Sequence, residues 1–99
     1  MTTNGLIEAV KKWGHKRSLY DPIMQYAKLN EEVGEIAHEL TRNNWESEEI
    51  MDAIGDTLVT LIIFADILDI DIRTALDYAY NEIKDRKGIT QNGTFIKEQ

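Results

Sequence analysis

Two stretches decide how this chain folds: Lys28-Leu29-Asn30-Glu31-Glu32-Val33-Gly34-Glu35 and Glu49-Ile50-Met51-Asp52-Ala53-Ile54-Gly55-Asp56. Both mix apolar and acidic residues at steps of three and four, which stacks like side chains on one face of an α-helix. At ~100° per residue, Lys28, Glu32, Glu35 and Glu39 fall within roughly 60° of one line. By the same count Glu49, Asp52 and Asp56 share a face, and Val59 and Ile63 continue it into the apolar part of the second stretch. The pattern predicts two long helices joined by a short connector, packed antiparallel with their acidic stripes facing near the connector end.

Outward from this pair the punctuation is clear. Asp21-Pro22 starts the first of the two helices, with the aspartate as cap and proline in the first helical position; Asn43-Asn44 ends it near residue 42. Ser47 with Glu48 and Glu49 opens the second, which reaches about Leu68 and reads as a buried helix around Leu58–Leu68. Upstream, Leu6, Ile7, Val10 and Trp13 give an apolar stripe to a helix over about 4–16, starting after a Thr3 or Asn4 cap. Downstream, Asp69-Ile70-Asp71 caps a helix over about 72–86, stopped at Gly88. Asn92-Gly93 between β-prone pairs predicts a hairpin over about 89–97. The expectation is an all-α, four-helix bundle-like single domain over residues 1–99 with a short β-hairpin tail.

Composition limits the function classes. Of 99 residues, 42% are hydrophobic and 29% charged, a globular balance. Eighteen acidic against eleven basic residues leave a net charge of −7, which disfavours a nucleic-acid polymer or an anionic membrane surface as partner. No cysteine is present, so there is no disulfide, thiolate zinc site or thiol nucleophile, consistent with a cytoplasmic location. The first ten residues lack the basic start and apolar run of a secretory signal. The longest apolar stretch is interrupted by Thr60 and Asp66 and is too short for a membrane span.

The acidic stripes carry the chemistry. Two carboxylates ~5 Å apart repel by about 3 kcal/mol at an effective dielectric of 20, so a cluster of four needs a cation among them. A hard ion with oxygen ligands, Mg²⁺ or Mn²⁺, suits such a cluster and would hold phosphates that the protein's own charge repels. Acidic residues at this spacing ordinarily form a solvated face. Here each stripe lies beside apolar residues, and Gly34 and Gly55 each precede an acidic residue. An interior glycine costs a helix up to ~1 kcal/mol relative to alanine, which predicts a close approach of another helix or a ligand at each.

These same residues resemble the MazG-type all-α nucleoside triphosphate pyrophosphohydrolases. The similarity rests on residues 28–35 and on Asp52-Ala53-Ile54-Gly55-Asp56-Thr57-Leu58, and extends to Trp13 and to Asn81-Glu82-Ile83-Lys84-Asp85-Arg86-Lys87-Gly88, covering roughly residues 6–88. The resemblance implies Mg²⁺ bound by a Glu-x-x-Glu motif on one helix and a Glu-x-x-Asp motif on the next, and cleavage of a nucleoside triphosphate between its α and β phosphates. Glu32 and Glu35 match the first motif, and Asp56 matches the last position of the second. The glutamate expected at position 53 is alanine. Asp52 is the replacement in one register; Glu49 with Asp52 forms the pair in the other. The implied metal set is Glu32, Glu35, Asp52 and Asp56, with Glu49 in reserve, and Glu31 or Glu35 is implied to orient or deprotonate the attacking water. Asn81 and Lys84 match positions that contact phosphates. Lys28 is a further candidate for the phosphates and Trp13 for the nucleotide base.

Glu35-Ile36-Ala37-His38 invites a di-iron reading, which fails because the chain has no second Glu-x-x-His motif. The alternative to an enzyme is a helical assembly module without catalysis. Four short helices leave much apolar surface, so a homodimer or homotetramer is expected, as the resemblance also implies.

Overall fold

Four short polar side chains start the four helices of the computed structural model, which describes all 99 residues. Thr2 caps α1 (Thr3–Lys16), its hydroxyl accepting from the Gly5 amide at 3.0 Å. Asp21 caps α2 (Pro22–Thr41) by accepting from the Ile23 and Met24 amides at 3.0 and 3.3 Å. Ser47 caps α3 (Glu48–Ile67) through the Ile50 amide, and Asp71 caps α4 (Ile72–Ile83) through the Arg73 amide. The chain leaves α1, α2 and α3 through left-handed residues, Ser18, Asn43 and Asp69.

Two expectations are corrected. The α1 cap is Thr2 rather than Thr3 or Asn4, one position earlier in a run of three capping-type residues. Helix α4 ends at Ile83 rather than Arg86: beyond Ile83 no apolar residue remains to hold a further turn. Strands β1 (Gly88–Gln91) and β2 (Thr94–Lys97) form the expected antiparallel hairpin, with Ile89 opposite Ile96 and Asn92-Gly93 both at positive φ in the turn. A methyl group on Gly88 would collide with the Ile96 carbonyl oxygen and lie 2.6 Å from the Phe95 ring, so glycine is required where the hairpin begins.

Helix α3 is the centre: α1, α2 and α4 each pack on it, α2 most extensively. Tyr26 of α2 meets Phe64 of α3 with ring centroids 6.2 Å apart. Gly14 of α1 is buried against Ile63, close enough that a Cβ there would lie 3.2 Å from the isoleucine. The α1–α3 contact is tied by His15 Nε2 to Asp66 Oδ2 at 2.6 Å and by Lys11 to Asp66 at 3.7 Å. Arg73, at the start of α4, bonds Asp71 and reaches across to Glu8 of α1 at 2.7 Å.

The interior is thin. Six residues are buried, among them Ala53, Thr60, Ile63 and Ala65 of α3. The expectation of a buried helix around Leu58–Leu68 holds for one side only, because Leu58 and Leu68 remain about half exposed. The chain exposes 7983 Å², against about 5,800 Å² for a folded monomer of this mass. Its radius of gyration is 16.0 Å, where a compact chain of this length has about 13 Å.

The Arg73 guanidinium bonded to Asp71 holds that carboxyl far below the usual carboxylate range, and the Arg73 bond likewise lowers Glu8. Both groups bind protons less readily folded than unfolded, so their stabilisation is present at neutral pH and fades as pH falls below about 4. Arg73→Ala should therefore lower Tm at pH 7, and the gap from wild type should narrow in scans at pH 3 and pH 2. A gap that stays constant with pH would mean that Arg73 acts by packing alone.

Candidate functional site

The acidic faces of α2 and α3 meet in one open cleft of about 380 Å³. Lys28, Glu31, Glu32, Glu35 and Glu39 line it from α2; Glu49, Asp52, Ala53 and Asp56 line it from α3. The two helices run in opposite senses, so the Glu39 end of α2 lies by the start of α3 and Lys28 lies nearer Asp56. Every carboxylate of the sequence-derived metal set is therefore in one place, together with Glu31, Glu49 and Lys28.

The members differ in how free they are. Glu39 is buried and accepts from the Asn44 side-chain amide at 2.7 Å, so it fastens the α2–α3 connector. In the sequence Asn44 reads only as part of a helix stop. A polar residue just past a helix whose last turn carries an inward glutamate was the available signal. Lys28 Nζ sits 3.1 Å from Glu32 and 3.8 Å from Glu31. Its hydrogen bond with Glu32, then the charges of Glu31 and Glu32, hold the ammonium above its ordinary pKa. Glu35 makes no ion pair.

Asp56 is the strained member. Its carboxyl is pushed above the usual value, first by the hydration it loses in the cleft, then by the negative charges of Asp52 and Glu32; Lys28 opposes the rise. The arrangement asks for positive charge, and one lysine supplies it. As they stand, no three Asp, Glu or His side chains converge closely enough to hold an ion. The donor chemistry nevertheless fits one class of ion: all the anionic ligands are carboxylate oxygens, with no thiolate or imidazole, which suits Mg²⁺ or Mn²⁺ over softer metals.

Three sequence candidates stand elsewhere. Trp13 is half exposed on α1 with the Arg17 guanidinium 5.2 Å from its ring centre. Asn81 and Lys84 are exposed at the far end of α4, where Asn81 donates to Asp77 at 3.3 Å. None of the three lines the cleft of its own chain. No helix of the chain makes the approach expected at Gly34 and Gly55: a Cβ on either would meet nothing within 4 Å. His38 is exposed beside Arg42, away from any ligand cluster.

A four-helix chain with opposed carboxylate stripes on its two central helices has known counterparts. The MazG nucleotide pyrophosphohydrolase domain matches residues 22–88. The structure superposes on the crystal structure of a Bacillus-conserved MazG protein, a nucleotide pyrophosphohydrolase, with a TM-score of 0.75 and 29% identity over 88% of this chain and 94% of that one. No curated protein matches at a significant level. The chain belongs to the MazG nucleotide pyrophosphohydrolase family, which makes it a hydrolase acting on nucleotides.

Because Asp56 holds its proton more readily folded than unfolded, its ionisation disfavours the metal-free fold. Stability from this group falls as pH rises from about 4, the unfolded value, through the raised folded value. Asp56→Asn should accordingly match or exceed wild type in Tm at pH 7 with EDTA present, and the advantage should shrink at pH 4. A lower Tm at pH 7 would show that the carboxylate stabilises the fold.

Proposed function

We propose that this enzyme cleaves a nucleoside triphosphate between the α and β phosphates, releasing the monophosphate and pyrophosphate, in a reaction dependent on Mg²⁺ with Mn²⁺ as a substitute. The observation that carries the reading is the meeting of Glu32 and Glu35 with Asp52 and Asp56 across a single cleft that is short of positive charge. These four are the proposed metal ligands. When bound, the ion supplies the charge that lets a triphosphate enter an acidic cleft and that neutralises the departing pyrophosphate.

The protein's own groups have distinct parts. Glu35, free of ion pairs, or Glu31, beside Lys28, orients or deprotonates the water that attacks the α-phosphorus. Lys28 is the one cation lining the cleft and turns to a phosphate oxygen when Glu32 is engaged elsewhere. For the missing family glutamate, the coupling of Asp56 to Asp52 and Glu32 favours Asp52 as the replacement over the shifted Glu49–Asp52 pair.

The surroundings follow the same logic. The excess of exposed surface over a monomer of this mass is about 2,200 Å², well beyond the ~800 Å² per partner of a standard interface. It supports a homodimer or homotetramer. No helix is long and apolar enough to cross a membrane, and the charge of −7 favours a small nucleotide with its cation over a nucleic-acid polymer. A cytoplasmic location is part of the proposal.

Wild type with a nucleoside triphosphate and Mg²⁺ should yield monophosphate and pyrophosphate by ³¹P NMR, and nothing with EDTA. Orthophosphate as the first product would overturn the cleavage position. No turnover across a panel of ribo- and deoxynucleotides would favour the assembly-module alternative. Within the site, Asp52→Asn and Asp56→Asn should each reduce activity by orders of magnitude, with Glu49→Gln mild. A severe Glu49→Gln with a mild Asp56→Asn would select the shifted register instead.

A further inference from the structure

Glu39 is the buried carboxylate of the cleft, and the chemistry proposed above leaves it unused. It is 8% exposed, makes no ion pair, and lies outside the four proposed ligands. Burying an anion without a counter-charge is costly, so such a group ordinarily has a cation or several donors about it. Glu39 has one donor. Its Oε2 accepts from Asn44 Nδ2 at 2.7 Å, while Oε1 accepts from nothing in the chain. No fully enclosed side-chain oxygen of the protein lacks a partner, so Oε1 opens onto the cleft that Glu39 lines.

The register of the two helices says what stands across from it. Tyr26 packs on Phe64 where α2 and α3 run antiparallel. Equal steps from that contact, forward along α2 and back along α3, set Glu39 level with Met51. Asp52 and Ala53 then lie within ~3 Å of its level along the axis. Ala53 is 5% exposed and presents only a methyl group to the cleft, at the position where the second acidic motif lacks its glutamate. Asp52 restores the charge but not the place: one residue back is ~100° around the helix, and aspartate is one methylene shorter. Beside Ala53 the cleft therefore has no carboxylate from α3 and a buried one from α2.

We propose that Glu39 is a further ligand to the divalent ion of the cleft, sharing with Asp52 the part of the glutamate absent at position 53, and that Asn44 is its positioning residue. The inference rests on the cleft being the Mg²⁺ site. The choice of partner fits the role: an amide hydrogen bond orients a carboxylate without neutralising it, where a lysine or arginine would take up its charge. Asn44 is itself held. Its backbone N–H donates to the Glu39 carbonyl at 3.0 Å, and its own carbonyl accepts from Ser47 Oγ at 2.8 Å. This clamp runs from the last turn of α2 to the cap of α3 and aims one oxygen of Glu39 before any ion arrives. Glu35, Asp52 and Asp56 have no such hold and must gather around the ion, because they do not converge as they stand.

The test is metal binding by the full-length protein without nucleotide, read from the electron paramagnetic resonance of free Mn²⁺. Glu39→Gln should raise the Kd for Mn²⁺ by about tenfold or more, with helical circular dichroism unchanged. Asn44→Ala should weaken binding about tenfold in wild type and change little in Glu39→Gln, because Asn44 acts through Glu39. Ala53→Glu should return Mn²⁺ affinity to Glu39→Gln, a rescue that a merely structural strap would not allow. An unchanged Kd in Glu39→Gln, or no rescue in a folded double variant, would overturn the assignment of Glu39. Additive losses from the two changes would overturn that of Asn44. Should Glu39→Gln fail to fold, ¹³C-labelled wild type decides by itself. Substoichiometric Mn²⁺ should broaden the Glu39 carboxyl signal as early as that of Glu35, and a Glu39 signal that outlasts it removes the proposal. Wild type that binds no Mn²⁺ removes instead the reading of the cleft as a metal site, and Glu39 as a ligand with it.

Discussion

Like charges held together by apolar packing set the terms for this molecule. Helices α2 and α3 associate through Tyr26, Phe64 and the small buried side chains of α3, and that association carries their acidic faces into one cleft. Packing near the Phe64 end is favourable, and approach at the Asp56 end is opposed by Asp52 and Glu32. The structure balances the two by leaving an open cleft where the charges lie, by pairing Lys28 with Glu31 and Glu32, and by giving Glu39 a neutral amide partner. A cleft built this way is short of positive charge before any ligand arrives.

Much of this was legible in the sequence because it depends on short-range rules. Asp21-Pro22, Ser47 and Asp71 cap helices through bonds to amides two or three residues away, and Asn92-Gly93 makes its turn from its own backbone freedom. Periodicity then fixed which residues of α2 share a face, and likewise for α3; the short connector fixed which faces oppose. The meeting of Glu32, Glu35 and Glu39 with Glu49, Asp52 and Asp56 follows from those two facts, while the choice of four among them as metal ligands comes only from the family resemblance.

What was not legible depends on contacts between elements. Periodicity gives the face of α1 that Trp13 occupies, yet how α1 lies on α3 is decided by the packing of Gly14 on Ile63, and Trp13 does not line the cleft. Asn81 and Lys84 have the right spacing on α4, while the direction of α4 is decided by Arg73 reaching Glu8, sixty-five residues away. Gly34 and Gly55 signalled an approach that the single chain does not make. In each case the pattern is local, and what the residue meets is decided by elements beyond the pattern's range.

The openness of the carboxylate cleft has a consequence for the medium around it. Its charges border open solvent, so mobile ions reach them, and at physiological ionic strength the screening length is about 8 Å. Ordinary surface ion pairs weaken as salt is added. Here the dominant pairing is between like signs, so background electrolyte relieves it. Added electrolyte therefore eases the repulsion among the cleft carboxylates while it weakens the Lys28 and Arg73 pairs, so the two kinds of contact respond to salt in opposite senses.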